Sequence, residues 1–275
     1  MLGAASAALR AGNFGFSALG FWVENSYLPL MKKITTFIYG IFAYLIFLMT
    51  AIYTIGFLGN FIVPKSINSG LGISFISSLF INLSLLSLFA VQHSVMARAS
   101  FKKWLAKFMN PAIERSTYVL LSSLALILLY WKWQPMKTII WQVENEVISW
   151  VIWGIFGIGW LVVFASTFMI NHFELTGLQQ VLNYLRQRQA ASTKFEVNYL
   201  YKFVRHPLML GFLIVFWATP LMTVGHLVFT LILTLYIFVA VKYLEEKDLR
   251  KAIGEEYEAY QKEVPMIVPF TKIKK

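Results

Sequence analysis

The sequence predicts an all-α integral membrane protein with about six transmembrane helices, a C-terminal hairpin and an amphipathic tail helix on the cytoplasmic side. Three observations carry that prediction. Of 275 residues, 58% are hydrophobic and 13% charged, with a mean hydropathy of +0.65, whereas soluble domains are nearer half apolar and a quarter charged. The apolar residues fall into runs long enough to cross a bilayer, which takes about 20 residues. The Lys and Arg residues behind the net charge of +11 stand in short clusters between those runs. That is the positive-inside pattern, and it argues against a nucleic-acid partner and for the lipid bilayer. The chain has no Cys, which removes disulfides, thiolate metal sites and a Cys nucleophile together, and no metal is expected.

Residues 1–30 read as an extension outside the main domain. They lack the basic start and unbroken apolar core of a signal peptide, and Arg10 interrupts the run. Residues 31–270 read as a single transmembrane domain and residues 271–275 as a basic tail. The predicted spans are about 34–63, 73–96, 116–133 and 148–170, followed by a coupled pair at about 207–219 and 226–244. The first limb of that pair is short for a full crossing, so it is either tilted or stops before the far surface. The amino end, the second and fourth connections and the carboxyl tail are all basic. Alternation puts them on one side, the cytoplasm, with both termini there, as expected for a bacterial inner membrane. After Leu244 the helical period continues, with Leu249, Ala252, Ile253, Tyr257 and Tyr260 on one face until Pro265 stops it.

The charged ends of this hairpin ask for a reason, because ionisable groups near a membrane are expensive. At about 1.5 Å per residue, a limb of some 13 residues followed by one of nearly 20 returns Glu245 and Glu246 to the level of Arg205 and His206. Pro207 sits comfortably in a first helical turn, and Gly211 one turn further leaves room against the backbone. Glu245 and Glu246 are turned about 100° apart, so one of the two is free to make a structural ion pair, with Lys242 or Arg250. Residue chemistry alone leaves two readings: a mouth for a zwitterionic ligand with a planar ring, or an interfacial salt-bridge cluster.

Arg205-His206-Pro207-x-x-x-Gly211, then Glu245-Glu246, then Gly254-Glu-Glu-Tyr257-x-x-Tyr260 and Val264-Pro265 resemble the signature of the integral-membrane methyltransferases typified by isoprenylcysteine carboxyl methyltransferase. A longer set of segments resembles the thiol-methylating bacterial branch of that family: Ala90-Val-Gln-His93-Ser-Val-Met-Ala-Arg98, Pro111-Ala-Ile-Glu114-Arg-Ser-Thr-Tyr118, Asn171-His172-Phe-Glu174 and Trp217-Ala-Thr-Pro220. The resemblance implies S-adenosylmethionine as methyl donor, bound at the cytoplasmic mouth, and a small volatile thiol as acceptor, methanethiol going to dimethyl sulfide. It implies Tyr201, His206, Leu208, Met209 and Glu245 as the lining of the donor site, with Phe195, Glu196, Gly211 and Glu246 as further candidates. Met209 departs from the family, which often has Tyr there.

Transfer of a methyl from a sulfonium is an in-line displacement that needs alignment and, for a thiol, the thiolate. His172 is read as the base at the end of the fourth span, beside Asn171, with an interfacial pairing to Glu174 as its alternative. Arg205 is read as holding the thiolate. His93 stands behind them, with packing against Glu114 or Arg98 as its alternative, and His226 belongs to the far tip. Other acceptors with the same donor are hydrogen sulfide, another thiol, an isoprenylcysteine or a phospholipid. A different class is a non-catalytic haem-binding accessory protein that uses His93 and His172.

Overall fold

The computed structural model describes residues 16–188 and 197–271, with side chains described from residue 30 onward. Residues 1–15 of the extension, the end of the basic tail after Thr271, and the two candidates Phe195 and Glu196 lie outside the described residues.

The long helices are α1 (Phe16–Gly59), α2 (Phe75–Ala97), α4 (Glu114–Lys132), α5 (Glu146–Ile170) and α9 (Val224–Ala240). Between them lie α3 (Ala99–Leu105), α6 (His172–Leu175), α7 (Leu178–Arg186) and α8 (Pro207–Trp217). A π-helical turn over Val241–Glu245 joins α9 to α10 (Glu246–Ile253), and α11 (Glu255–Glu263) follows. Five segments are long and apolar enough to cross a membrane: Leu30–Gly59, Phe75–Ala97, Pro111–Lys132, Glu146–Ile170 and Val224–Ile253. Side chains exposed along α1, among them Ile38, Phe42, Leu45, Met49 and Ile52, are large and apolar, as a lipid-facing stripe requires.

The fifth predicted span, at about 207–219, is the exception. At 11 residues, α8 rises only about 16 Å at 1.5 Å per residue, against a hydrocarbon core of about 30 Å. It is sheathed by α5, and the two helices approach so closely that neither tolerates a side chain where they cross. A Cβ on Gly211 would lie 2.8 Å from Val163 Cγ2 and 2.9 Å from the Gly159 carbonyl oxygen. The space that glycine leaves is therefore filled by α5, which is a different reason for Gly211 from the ligand room expected of it.

The core is aromatic. Phe57, Tyr130, Trp133, Phe216 and Phe229 meet edge-on or tilted with ring centroids 4.6–6.3 Å apart, the geometry that aromatic quadrupoles favour. Side-chain oxygens of Ser74, Asn145 and Thr223 cap α2, α5 and α9 by accepting from the amides of Ser77, Ile148 and His226.

Three local features differ from the sequence reading. The basic connection after the fourth span folds as α6 and α7, and α7 seats fully buried Val181 against Gly40 of α1. A two-stranded antiparallel pair, β1 (Ile139–Gln142) with β2 (Leu221–Thr223), closes the end opposite the charged cluster. The tail helix keeps its apolar face, with Tyr257, Tyr260 and Val264 buried against Leu249 and Ile253, but it breaks at Gly254, whose φ of +78° suits glycine. Beyond Pro265 the chain folds back, and Ile267 is buried in the main core.

Candidate active site

The charged groups expected at the hairpin ends do meet, and Glu246 is their centre. Its carboxylate accepts from Arg205 Nε at 2.8 Å and Arg205 Nη2 at 3.0 Å, a bidentate pair. It also accepts from His206 Nε2 at 2.7 Å, from the Tyr257 hydroxyl at 3.0 Å and from Gln261 Nε2. Arg205 Nη1 donates in addition to the carbonyls of Gln261, at 3.2 Å, and Val264. Backbone amides of Arg205 and His206 donate to the carbonyls of Pro265 and Met266. These bonds tie three separate stretches of chain into one buried knot, and the Arg205 and Glu246 side chains are only 8% and 6% exposed.

The structural ion pair foreseen for one of the two glutamates is thus made by Glu246, with Arg205 rather than with Lys242 or Arg250. Arg205, read as a holder of thiolate, has its guanidinium engaged by Glu246 and two carbonyls.

Glu245 is placed quite differently. Its side chain is 46% exposed, and its ion pair is with His206 Nδ1 at 3.5 Å. The separation of the two carboxylates follows from the roughly 100° between helical neighbours and from the π turn, in which the Glu246 amide bonds back to Val241. Such turns recur at functional sites. Burial opposes a charge on His206, but hydrogen bonds and attraction from Glu245 and Glu246 outweigh it and raise its pKa to about 9. The ring is an imidazolium at neutral pH, donating from both nitrogens. Tyr201 stands on a single 3₁₀ turn, Tyr199–Lys202, pinned by the Tyr260 hydroxyl donating to its carbonyl at 2.5 Å. Burial, then the Glu245 and Tyr260 side chains, push its phenol up. Leu208 and Met209 lie in the first turn of α8, half-buried, with Met209 packed on the main core.

His172 is buried at the start of α6. Its Nε2 lies 3.1 Å from the Tyr44 hydroxyl and its Nδ1 3.0 Å from Thr167 Oγ1, and Phe168 stacks on the ring with centroids 4.5 Å apart. Burial lowers its pKa, so the ring is neutral. The alternative pairing with Glu174 is not made: Asn171 takes that role, donating from Nδ2 to the Glu174 carboxylate at 3.2 Å and accepting the Glu174 amide at 3.1 Å.

His93 is the surprise. It lies neither on Glu114, which pairs with Lys102, nor on Arg98, which pairs with Asp248 at 3.1 Å. Its Nε2 is 2.8 Å from the Tyr118 hydroxyl, and Phe89 flanks the ring. Ser94, next to His93, meets the Tyr236 hydroxyl at 2.9 Å, and Arg115 lies 5.3 Å from the Tyr118 ring centre. Tyr118, Tyr236 and Arg115 were not singled out in the sequence. The signal was present, since His93 and Tyr118 lie in two of the segments that carry the resemblance, but nothing local joins residues 25 apart. His226 lies at the opposite end of the bundle, as expected.

A multi-pass helical membrane protein with its buried charges gathered at one end is the class that fold and site define. A protein-family model described as NnrU protein matches residues 82–270. Methanethiol S-methyltransferase 1 of Bradyrhizobium diazoefficiens is 50% identical over 240 residues, 87% of this chain and 84% of its own length. Methanethiol S-methyltransferase of Mycobacterium tuberculosis is 48% identical over 240 residues, 87% of this chain and 98% of its own length. Nurim of Mus musculus is 32% identical over 187 residues, 64% of this chain and 70% of its own length. No solved structure matches. The chain belongs to the NnrU family, alongside these methanethiol S-methyltransferases.

Proposed function

We propose that this protein transfers a methyl group from S-adenosylmethionine to methanethiol, giving dimethyl sulfide, at the cytoplasmic mouth of the bundle. One observation carries the reading: a half-exposed carboxylate, Glu245, is held beside an imidazolium by a buried network that leaves it free to accept. The chain is also 48–50% identical, over 87% of its length, to relatives named for that reaction.

The residues present fit the donor. Glu245 suits an ammonium or ribose hydroxyls, the half-buried Leu208 and Met209 offer apolar contact to a ring, and Tyr201 offers a half-buried phenol on its 3₁₀ turn. When bound, the sulfonium supplies an activated methyl and needs no metal. The protein supplies alignment. Arg205, His206 and Glu246 brace this wall, and His206 joins the two glutamates by pairing with both. The cytoplasmic assignment rests on charge: Lys32, Lys33, Arg98, Lys102, Lys103, Lys107 and Arg115 all lie at or next to the ends of apolar spans on this side.

The test is calorimetric titration of the purified chain with S-adenosylmethionine, followed by headspace gas chromatography with methyl-labelled donor and methanethiol. Saturable binding and labelled dimethyl sulfide are expected. Binding without labelled product shifts the reading to another acceptor, and a folded preparation that binds no donor overturns it.

A further inference from the structure

We propose that His93 and Tyr118 form the group that takes the proton from the acceptor thiol, on the wall of the mouth facing Glu245. This rests on the methyl-transfer reading above and deepens it by naming the base.

The argument begins with position. His93 lies one turn before the end of α2 and Tyr118 one turn into α4, so both sit at the charged end of the bundle. Two contacts bring this end of α2 to the returning limb of the hairpin: Ser94 Oγ meets the Tyr236 hydroxyl at 2.9 Å, and Arg98 pairs with Asp248 at 3.1 Å. Tyr236 precedes Glu245 and Asp248 follows it by three residues, so this end of α2 packs on the limb that carries the half-exposed Glu245 carboxylate.

Chemistry narrows the choice. A thiol needs its proton removed before its sulfur attacks well, since alkyl thiols ionise above neutral pH, as free cysteine does at about 8.5. Of the basic groups at this end, Arg205 is locked to Glu246, and His206 donates from both nitrogens and has no lone pair to offer. His172 is likewise held between two hydroxyls, Tyr44 and Thr167, but its described partners stand on α1 and α5 rather than on the limb that carries Glu245. His93 remains, half-buried, with the Tyr118 hydroxyl 2.8 Å from Nε2 and 3.1 Å from Nδ1, and Ser122 Oγ 3.3 Å from Nδ1. Arg115 lies 5.3 Å from the Tyr118 ring centre, so charged neighbours of both signs, Arg115 and Glu245, face the pair from α4 and from the hairpin.

In the step, the thiol proton moves to the Tyr118 oxygen as the Tyr118 proton moves to His93 Nε2. The thiolate sulfur then bonds to the donor methyl carbon while that carbon's bond to the sulfonium sulfur breaks, leaving its electron pair on that sulfur. The products are dimethyl sulfide, the neutral thioether of the donor and a protonated His93, which returns its proton to water.

The experiment compares His93→Ala, Tyr118→Phe and His172→Ala in the full-length chain. It uses methanethiol and an aromatic thiol that is already ionised at pH 7. With methanethiol at pH 7, His93→Ala should lower kcat about 100-fold, the usual worth of a positioned base, and Tyr118→Phe about tenfold. Donor affinity by calorimetry should stay within about threefold. The deficit should close as pH rises toward 10, and it should be absent with the ionised thiol. His172→Ala should leave this split unchanged. Equal losses on both thiols at every pH, or a His93→Ala kcat within about threefold of the parent, overturn the assignment. If His93→Ala does not fold, Tyr118→Phe keeps the ring and decides by the same comparison. Failure of the parent chain to bind donor would instead overturn the methyl-transfer reading.

Discussion

The two ends of the bundle are closed by different chemistry. At the mouth, Arg205, His206 and Glu246 form a buried ionic knot with Glu245 protruding from it. At the other end the buried links are between neutral groups, and a cation there, Lys65, donates to the Trp131 carbonyl at 2.6 Å rather than to a carboxylate. Asn82, fully buried, donates to the Gln134 carbonyl at 2.8 Å and accepts its amide at 2.9 Å. Trp133 donates to the Ile67 carbonyl at 3.1 Å, Thr223 to Asn68 Oδ1 at 2.7 Å, and β1 pairs with β2. Both ends must satisfy the polar groups of chain reversals. The uncharged links do this at one end, whereas the ionic end also leaves the Glu245 side chain half-exposed.

The contrast can be broken most severely at Glu246. Removing one partner of a buried ion pair costs about 3–5 kcal/mol, because the cation left behind has no counter-charge. Glu246→Ala should therefore give little folded protein and a strongly lowered Tm in detergent. Donor binding should be lost along with the fold.

The next largest effect is expected at the neutral end. Asn82→Leu leaves a buried amide and carbonyl unsatisfied, each worth about 1–3 kcal/mol. Tm should fall, but the fall should be the same at every pH, and the donor affinity of the folded fraction should be kept. An overpacking test at the α5–α8 crossing is comparable: Gly211→Ala should cost about 1–3 kcal/mol by thermal denaturation. A Tm unchanged by that substitution would show the crossing to be looser than 2.8 Å implies.

Thermal unfolding against pH separates the ends without mutation. The folded pKa of His206 is about 9, above the ordinary value near 6.5. Its contribution is thus fully present below about pH 6.5 and lost as pH rises through about 9. Tm should decline over that window in the parent chain and in Asn82→Leu. His206→Gln should flatten the decline.

Glu245→Gln is expected to move stability least, since the side chain is half-exposed and its ion pair is long. Its effect belongs to binding. Loss of a charge-assisted hydrogen bond, about 1.5–3 kcal/mol, corresponds to a rise in donor Kd of roughly tenfold or more. Unchanged Kd by calorimetry would remove Glu245 from the donor site.

Much of this was legible in order along the chain. Span positions followed from apolar runs, and the clustering of Arg205, His206, Glu245 and Glu246 followed from helical rise. The tail face of Leu249, Ile253, Tyr257 and Tyr260 followed from period. Less legible were the features set by neighbours. Gly211 reads as free space until α5 is laid across it. The basic stretch after Ile170 reads as loop because α6 and α7 are short and gain their burial from α1.

By itself, the sequence determined that this is a helical membrane protein, where its charges gather, and which motif they belong to. Hydropathy, charge and period are properties of contiguous residues. Only the tertiary structure decided which of two adjacent glutamates is a brace and which is free, because that depends on a π turn and on where Arg205 arrives. It also decided that His93 meets Tyr118 rather than Glu114 or Arg98, because the packing of α2 on α4 brings together residues that no local pattern connects.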